Sequence, residues 1–476
     1  MLQPLIINKG FQQYLVDFSF DEETDLFSAL QKTEVEYIKT ADNNELPRYT
    51  NEFWTSKQRQ ANSIHEVSYR ACFKPQLPRF FINLLTKLGD IVYDPFAGRG
   101  TTIIESALMG RNVISNDINP LSAILSRPRL FVPDITNLHR RLDEIPIKDI
   151  ESDIDLSMFF HERTLAEILS LRAYLNDNES LNPPLSPFQK GEYFGIIPEN
   201  GKNLTLPSEK RKNSSLPLEK GGRGDFVTYG ETKNTRTFDE IDEWLRMVAT
   251  NRLTGHSKGF FSVYTLPPNQ AVSPENQKKI NEKRNQIPEY RDTKKIILKK
   301  TKDLIKDLSF DQIKQLREIG KKSVFLNKDA RLTDEIKDNT VQLTVTSPPF
   351  LDVVHYADDN WMRCWFNGID ASKIEKKITM SRKLEDWCLV MSDVFKQLFR
   401  VTKPDGYVAF EVGEVRGGTI KLDEYVVDIG INQGFICEGI MVNEQSFTKT
   451  ANIWGIDNND KGTNSNRIVL FKKFGG

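Results

Sequence analysis

Residues 341–350 place groups that could bind a polar ligand at the end of a buried strand. The run VQLTV (341–345) is apolar and β-branched, which predicts a buried parallel strand. The run SPPF (347–350) follows it. Two consecutive prolines lack N–H groups and cannot continue a sheet, so this strand end should be rigid and extended. It would offer a hydroxyl, carbonyl oxygens and an aromatic face, although a proline-rich loop without chemistry has the same composition.

A second run that could carry chemistry is the glycine-rich turn after the predicted strand DIVYD (90–94). Gly98 and Gly100 open a predicted helix, Thr101–Met109. Glycines let the backbone turn tightly and let a ligand approach closely, but a lone Gly-x-Gly also occurs in plain strand-to-helix turns. Ile103 stands where the dinucleotide pattern has a third glycine. The turn therefore favours a ligand without a pyrophosphate.

An acid in the next strand strengthens this interpretation. Asp117 ends the predicted strand NVISND (112–117). At that position in a nucleotide-binding sheet, a carboxylate accepts both hydroxyls of a ribose. The glycine turn and Asp117 together indicate an adenosine-containing ligand.

Alternating strands and helices must position these loops. Beyond the three strands above, strands are predicted at Ser323–Asn327, Gly406–Val412, Phe435–Asn443 and Arg467–Lys472, and helices at Lys383–Val401 and Asp423–Gln433. This alternation predicts an α/β fold with a doubly wound sheet of seven strands. Because no helix separates the last two strands, they should pair antiparallel.

Composition restricts the class of protein. The chain has 476 residues, a net charge of −1 and no apolar run long enough for a membrane span. Its first residues carry no basic region followed by an apolar stretch, so no secretion signal is expected. The 4 cysteines and 5 histidines show no metal-ligand spacing. We expect a reduced, cytoplasmic protein without structural zinc.

Residues 178–236 differ from the sequence on both sides. They are rich in Pro, Gly, Ser, Asn and Lys, and the pieces NPPLSPFQKGEY and SSLPLEKGGRGDF repeat one pattern. Little in them could be buried, which predicts a disordered or loosely folded insertion. They resemble dispersed repeat elements that are read through in frame in some bacterial genomes. A tolerated loop is favoured over nucleic-acid binding by the KGGRGD cluster.

The runs DPFAGRGTT (94–102) and SPPF together resemble the amino-type DNA methyltransferases, which use S-adenosylmethionine. In that family the first run is the cofactor loop and the second is the catalytic loop. The resemblance implies a seven-stranded, Rossmann-like methyltransferase sheet whose last strand is antiparallel, with an inserted recognition region. It also implies these cofactor-binding residues: Lys74, Pro75, Asp94, Pro95, Phe96, Gly98, Gly100, Thr101, Thr102, Asp117 and Asp329.

The resemblance to one branch of bacterial modification methylases covers most of the chain except the insertion. It extends to the runs 65–81, 244–273, 352–366 and 443–467. The cofactor loop precedes the catalytic loop by about 250 residues, so the region between them is the expected target-recognition region. The chain then divides into a first catalytic part (1–175), the insertion (178–236), the recognition region (237–320) and a second catalytic part (321–476).

The family's chemistry assigns roles to the SPPF run. An exocyclic base amine is a poor nucleophile because its lone pair is delocalised into the ring. The Ser347 hydroxyl and the Pro348 carbonyl can accept its N–H hydrogens, which helps the nitrogen attack the methyl group of the sulfonium. Pro348 and Pro349 hold these acceptors rigidly. Phe350 offers a face on which a base flipped out of the duplex can stack.

The residue before Pro-Pro bears on which base is methylated. Ser is commonest there in cytosine-N4 members of the family, whereas Asp or Asn is commonest in adenine-N6 members. All of these side chains accept hydrogen bonds, so adenine stays an alternative to the favoured cytosine. Methylation of a cytosine ring carbon would need a cysteine nucleophile after a proline, and no cysteine here follows one. The methyl donor is already activated, so no metal is expected.

Polar and basic side chains near the expected active face are candidates for DNA contact. Residues 276–322 hold 15 Lys/Arg and 7 Asp/Glu, which fits a phosphate-binding face about as well as a solvated helix face. The run 443–467 is dense in Asn, Thr, Lys and Gln, which bond phosphates and base edges, although a polar hairpin tip would look similar. The candidate residues are Asn251, Arg252, His256, Lys449, Asn452, Asn464 and Arg467.

These features predict a site-specific methyltransferase of double-stranded DNA, the modification arm of a restriction-modification system. A cognate restriction endonuclease would be encoded nearby, with no direct contact implied. Two alternatives stay open. An RNA base methyltransferase shares both loops, although residues 1–60 give no clear sign of an RNA-binding domain. A non-catalytic DNA-binding protein would keep the fold, but the intact glycine and SPPF runs argue against it.

Overall fold

A computed structural model gives the fold of the chain. It describes residues 10–18, 32–40, 43–54, 61–69, 72–179, 238–265, 271–351, 356–378, 383–415, 419–444 and 465–475. The expected insertion lies outside these ranges from residue 180 onward, and so do the candidate DNA contacts Lys449, Asn452 and Asn464. No helix in the described part of the chain is long and apolar enough to cross a membrane.

A mixed sheet of nine strands forms the centre of the described chain. The described residues form eleven strands, nine in this sheet and two outside it: β1 (Glu34–Lys39), β2 (Glu45–Asn51), β3 (Ile91–Asp94), β4 (Asn112–Asn116), β5 (Val324–Leu326), β6 (Val341–Thr346), β7 (Thr402–Val412), β8 (Glu414–Val415), β9 (Ile420–Lys421), β10 (Phe435–Glu444) and β11 (Ser465–Lys473). The sheet order is β1-β2-β10-β11-β7-β6-β3-β4-β5, and β8 pairs only with β9. Strand β11 is antiparallel to both β7 and β10. The predicted doubly wound sheet with an antiparallel last strand is therefore confirmed.

Strands β1 and β2 were missed by the sequence analysis. They form a hairpin that extends the sheet, because β2 pairs in parallel with β10 and antiparallel with β1. Strand β1 is almost entirely exposed, and β2 carries Pro47. Neither has the continuous apolar run that revealed the other seven strands of the sheet, and this is typical of strands near a sheet edge.

Helices cover both faces of the sheet. They are α1 (Phe11–Val16), α2 (Gln76–Leu85), α3 (Thr101–Leu108), α4 (Leu121–Ser126), α5 (Ile135–Glu144), α6 (Glu162–Glu179), α7 (Glu240–Arg252), α8 (Pro274–Arg284), α9 (Thr293–Ile305), α10 (Phe310–Gly320), α11 (Tyr356–Phe366), α12 (Ala371–Glu375), α13 (Leu384–Val401) and α14 (Leu422–Asn432). On one face, Phe395 of α13 packs on Phe410 of β7, with ring centroids 4.8 Å apart. On the other face, Phe81 of α2 shares a core with Leu343 of β6. Burial on both faces explains why the central strands are nearly continuous apolar runs.

Helices of the expected recognition region share a core with the first part of the chain. Trp244 of α7, Ile297 of α9 and Leu316 of α10 are buried together with Ile103 of α3. By contrast, α8 buries only Gln277. DNA recognition by residues 237–320 stays a prediction. Helices α7, α9 and α10 also pack against the first catalytic part of the chain (1–175) and complete its core.

The two predicted loops meet at one edge of the sheet. From β3 the chain proceeds outward to β4 and β5, whereas from β6 it proceeds the opposite way to β7. Such a reversal of strand order leaves a crevice at the carboxyl ends of the two strands. Strand β3 ends at Asp94, before the glycine turn, and β6 ends at Thr346, before the SPPF run. Both loops therefore flank the same crevice.

Candidate active site

A cavity of about 370 Å³ occupies this crevice. Its volume lies in the range of small-ligand sites. Both predicted loops contribute to its wall, together with residues of α13, β7 and β11. Of the predicted site residues, these line the cavity: Pro95, Phe96, Gly98, Asp117, Asp329, Ser347, Pro348, Pro349 and Phe350.

The glycine turn and Asp117 form one hydrogen-bonded unit. Gly98 and Gly100 have φ angles of +51° and +75°, in the left-handed region that favours glycine. The Gly98 N–H donates to Asp117 Oδ2 at 2.8 Å, and the Asn119 N–H donates to Oδ1 at 2.9 Å. Burial raises the pKa of the Asp117 carboxyl to about 6. The carboxylate is thus held at the cavity wall, where it can accept hydroxyl hydrogens.

Asp94 lies beneath the cavity instead of on its wall. Its side chain is 1% exposed. Its Oδ1 accepts hydrogen bonds from the Phe96 N–H at 3.1 Å and from the Thr346 hydroxyl at 2.6 Å. Burial raises the pKa of this carboxyl to about 7. Asp94 therefore joins the end of β3 to the end of β6, next to Ser347. The structure gives it this positioning role in place of the expected ligand contact.

Five further expected cofactor contacts are not among the residues that line the cavity. The Thr102 hydroxyl, for example, donates to the backbone carbonyl of Val345 at 3.1 Å. Tyr69, Cys72 and Phe73 line the cavity in their place. The residues that the structure places elsewhere are Lys74, Pro75, Gly100, Thr101 and Thr102.

Asp329, which the resemblance places at the adenine amine, lies on the wall beside Lys328 and Ala330. Its carboxylate accepts from Arg331 Nε at 2.9 Å and from Nη2 at 2.6 Å. Burial raises the pKa of Asp329, but the hydrogen bonds and charge of Arg331 outweigh this and lower it overall. An ionised acceptor is therefore present at this end of the cavity.

The SPPF run is fixed by contacts behind the cavity. The Trp387 indole N–H donates to the backbone carbonyl of Pro349 at 3.0 Å. The ring of Phe350 lies against Gly413, where a Cβ atom would be 3.0 Å from the ring. Pro348 is buried on the wall. Since the Pro349 carbonyl has a partner in Trp387, the carbonyl of Pro348 is the better candidate to accept a bond from a ligand.

Two polar wall residues, Glu411 and Asn466, were missed by the sequence analysis. Strand β7 pairs with β6 so that Phe410 lies opposite Thr346, which brings Glu411 beside Ser347. The Ser347 hydroxyl is hydrogen-bonded to the Glu411 carboxyl, and Asn466 Nδ2 donates to Glu411 Oε1 at 2.9 Å. Burial raises the pKa of Glu411. An acid within the otherwise apolar run YVAFEV was the available signal for Glu411.

Two expected DNA contacts on α7 are buried. Asn251 Nδ2 donates to the backbone carbonyl of Ser68 at 3.2 Å, and Arg252 bonds Asn251 and lies over the ring of Phe260. A buried side chain cannot reach a phosphate or a base edge without moving, so the structure does not support direct contacts from Asn251 or Arg252. His256 is exposed, and DNA contact from it stays a prediction.

Arg467, a third expected DNA contact, is 6% exposed. Its Nε lies 3.2 Å from the carboxylate of Asp423, which is fully buried, and its Nη2 lies 3.2 Å from Glu414. Arg48 of β2 approaches the same Asp423 at 3.7 Å. Arg467 therefore belongs to an internal ion network between β11 and α14, which replaces the expected DNA contact.

Comparisons with known proteins bear on the family. Residues 6–123, about a quarter of the chain, match the N6/N4 methyltransferase family model, described as DNA methylase. The resemblance to the amino-type DNA methylases is confirmed. The match ends before the SPPF run, so it does not distinguish the cytosine-N4 branch of these methylases. Among solved structures, an S-adenosylmethionine dependent methyltransferase from Mesorhizobium loti matches with 15% identity and a TM-score of 0.18, over 35% of this chain and 78% of that chain.

Similar proteins include Type II methyltransferases. M.MvaI of Kocuria varians is 24% identical over 351 residues, which cover 71% of this chain and 61% of that protein. M.MjaII of Methanocaldococcus jannaschii is 34% identical over 88 residues, 18% of this chain and 17% of that protein. A tRNA (guanine(10)-N2)-dimethyltransferase of the same organism is 38% identical over 63 residues, 13% of this chain and 18% of that protein. The chain thus spans less than two thirds of each of these relatives.

Proposed function

We propose that the chain is a DNA methyltransferase that transfers a methyl group from S-adenosylmethionine to an exocyclic amine, with cytosine N4 as the target. The observation that carries this proposal is a single cavity whose wall combines Gly98 and Asp117 with the SPPF run. The match to the family model described as DNA methylase, together with the similarity to Type II methyltransferases, supports DNA as the substrate. The modified site would then be protected from a cognate restriction endonuclease.

The cofactor half of the cavity fits an adenosine group. Asp117 accepts the ribose hydroxyls, since its carboxylate is held on the wall by two backbone N–H groups. Asp329 accepts the adenine amine, because its pairing with Arg331 keeps it ionised. The aromatic ring of Phe96 lines the same cavity and supplies apolar surface. S-adenosylmethionine itself supplies a methyl group that is already activated on a sulfonium.

The catalytic half prepares the amine as a nucleophile. The Ser347 hydroxyl donates its hydrogen to Glu411, so the lone pairs of its oxygen are available to the amine. The Pro348 carbonyl is the second acceptor. These two acceptors bind the amine hydrogens more strongly as the nitrogen becomes tetrahedral, which stabilises the transition state. The new N–C bond replaces the S–C bond of the donor, so S-adenosylhomocysteine is the second product, and one amine hydrogen leaves as a proton to solvent. Phe350 stacks on the flipped base and offsets part of the cost of removing it from the duplex.

Cytosine is preferred over adenine because Ser347 stands where the amino-type family has Ser most often in its cytosine-N4 members. Adenine N6 is the alternative, since its amine has the same donors and the same poor nucleophilicity. The chemistry of the acceptors is common to both bases. The base must therefore be identified by experiment.

Product analysis tests the proposal. The purified protein is incubated with unmethylated duplex DNA of mixed sequence and methyl-labelled S-adenosylmethionine, and the digested nucleosides are separated. We expect label in N4-methylcytosine, and none with the Asp117→Ala variant. Label in N6-methyladenine would contradict the assignment of cytosine as the target base but would support methyl transfer to an exocyclic amine. A parallel reaction contains RNA in place of the DNA, and label there but not in the DNA would favour an RNA base methyltransferase, the activity named for the tRNA-modifying relative. Label in neither would overturn the proposed function.

A further inference from the structure

We propose that Glu411 and Asn466 read the Watson–Crick edge of the flipped base and select cytosine over adenine. This inference rests on the proposed function and names the residues that would decide its substrate. Strands β7 and β11 are neighbours in the sheet, and both residues line the cavity with Ser347 and Pro348. The proposal concerns recognition of the base, not the transfer of the methyl group.

The three side chains form a continuous polar strip on an otherwise apolar part of the wall. Ser347 is hydrogen-bonded to the Glu411 carboxyl, and Asn466 donates to the same carboxyl at 2.9 Å. Phe350 and Met391 are among the apolar residues around them. Glu411 is 8% exposed. Polar groups that face a cavity at this depth are costly unless a ligand or water bonds them.

The order of groups in the strip matches the edge of cytosine. Cytosine presents an amine, then the N3 acceptor, then the O2 acceptor. Ser347 and Pro348 accept from the amine, the protonated carboxyl of Glu411 donates to N3, and the second N–H of the Asn466 amide donates to O2. Burial raises the pKa of Glu411, which favours its protonated form.

Adenine fits the strip less well. Its amine and N1 could bond Ser347 and Glu411 as cytosine does. Where cytosine has O2, however, adenine has a C2–H group, which would leave the Asn466 N–H buried without an acceptor. A site built to bond a substrate group discriminates strongly against an analogue that lacks it. Asn466 is thus the residue that separates the two bases.

The test uses the position that the wild-type protein modifies, mapped first in mixed-sequence DNA. Two synthetic duplexes then carry either cytosine or adenine at that position. We expect Asn466→Leu to lower transfer to cytosine by about tenfold to a hundredfold, the range for loss of a base-edge contact. Transfer to adenine should change little, so the cytosine-to-adenine ratio falls. The affinity for S-adenosylhomocysteine should stay unchanged.

Gln433→Leu is the matched control, because it removes an amide that bonds Ser392 and does not line the cavity. It should leave both rates and their ratio unchanged. An equal loss on both duplexes with Asn466→Leu would mean that Asn466 merely supports Glu411, and the inference would fall. Modification of adenine by the wild-type protein would also contradict the inference that these residues select cytosine. If it modified no base at all, the proposed function would be overturned first.

Glu411→Gln gives a second readout. Glutamine has the same shape and carries an N–H donor that can reach N3 without titrating. We expect this variant to keep cytosine transfer within about tenfold of wild type, whereas Glu411→Leu loses about a hundredfold or more. A loss with Glu411→Gln as deep as with Glu411→Leu would show that the carboxylate must take up a proton, which contradicts a reading role.

Discussion

At the scale of single residues, Asp117 is the group whose protonation should control ligand binding. Burial raises its pKa to about 6 in the free protein. Ribose hydroxyls donate to the ionised carboxylate, so binding favours that form. The affinity for S-adenosylhomocysteine should therefore weaken as the pH falls through about 6, by up to about tenfold per pH unit. Isothermal titration calorimetry between about pH 5 and pH 8 measures this dependence.

Two variants isolate the carboxyl responsible. Asp117→Asn should bind the ligand more weakly and show no pH dependence in this range. Asp94 is the second carboxyl with a raised pKa, about 7, but it lies beneath the cavity and bonds Thr346. Asp94→Asn should therefore keep the pH dependence. A dependence that survived Asp117→Asn would contradict the ribose contact.

Ser347 provides a second prediction at this scale. Ser347→Ala removes one of the two acceptors for the amine but leaves the Pro348 carbonyl. We expect single-turnover methyl transfer to fall about a hundredfold, a usual loss for a positioned acid–base group. The affinity for S-adenosylhomocysteine should not change. Ser347→Asn restores an acceptor and should recover part of the rate, so an equal loss in both variants would argue against the acceptor role.

The sequence predicted those site residues that lie within or next to a recognisable loop motif, and it missed those that reach the cavity through strand pairing. Ser347–Phe350, Gly98 and Asp117 lie in or after runs whose composition already indicated loops at strand ends, and all of them line the cavity. Glu411 and Asn466 reach the wall only through the pairing of β7 with β6 and with β11. No spacing in the sequence reveals such a neighbour, because it depends on strand order and register.

At the scale of elements, the glycine turn before α3 is required for packing as well as for its own shape. Gly100 has a φ of +75°, and a Cβ there would lie 2.3 Å from the Cβ of Ser126. Gly100→Ala combines backbone strain with a clash against the buried helix α4. We expect it to lower the free energy of unfolding by about 2 to 4 kcal/mol. Thermal and urea unfolding measure the loss.

Gly89 offers a matched control for this element. Its φ is +81°, but a Cβ there would meet nothing within 4 Å. Gly89→Ala should therefore cost only the backbone strain, about 1 kcal/mol. If both variants lost the same stability, the contact with Ser126 would not be limiting. The comparison separates the conformational need for glycine from the packing need.

The inner strands were predictable because burial on both faces requires apolar, β-branched runs, as in β6 and β10. The hairpin of β1 and β2 was not, since β1 is exposed and the buried residues of β2 are mixed with polar residues and Pro47. The buried ion network of Arg467 was also hidden. An arginine within a polar run resembles a DNA contact, and only the position of Asp423 beneath β11 shows that its charge is compensated inside the protein.

At the scale of the whole molecule, helices α6 and α7 come from either side of the insertion but are joined to each other. The Tyr174 hydroxyl donates to Asp242 Oδ1 at 3.0 Å, and Arg246 Nη2 donates to the backbone carbonyl of Leu175 at 2.7 Å. Asp239 caps the first turn of α7 through a capping box. The end of α6 and the start of α7 are thus held close together by contacts of their own.

Replacement of residues 181–236 by a linker of about eight Gly and Ser residues should therefore preserve the fold, since the closure of a short flexible loop costs little. We expect the thermal midpoint to change by less than about 3 °C and methyl transfer to be retained. As the control, a replacement that begins at residue 172 also removes Tyr174 and Leu175, and it should destabilise the protein strongly. If the shorter deletion abolished folding or transfer, the insertion would have to supply contacts that α6 and α7 do not, and its description as a tolerated loop would be overturned.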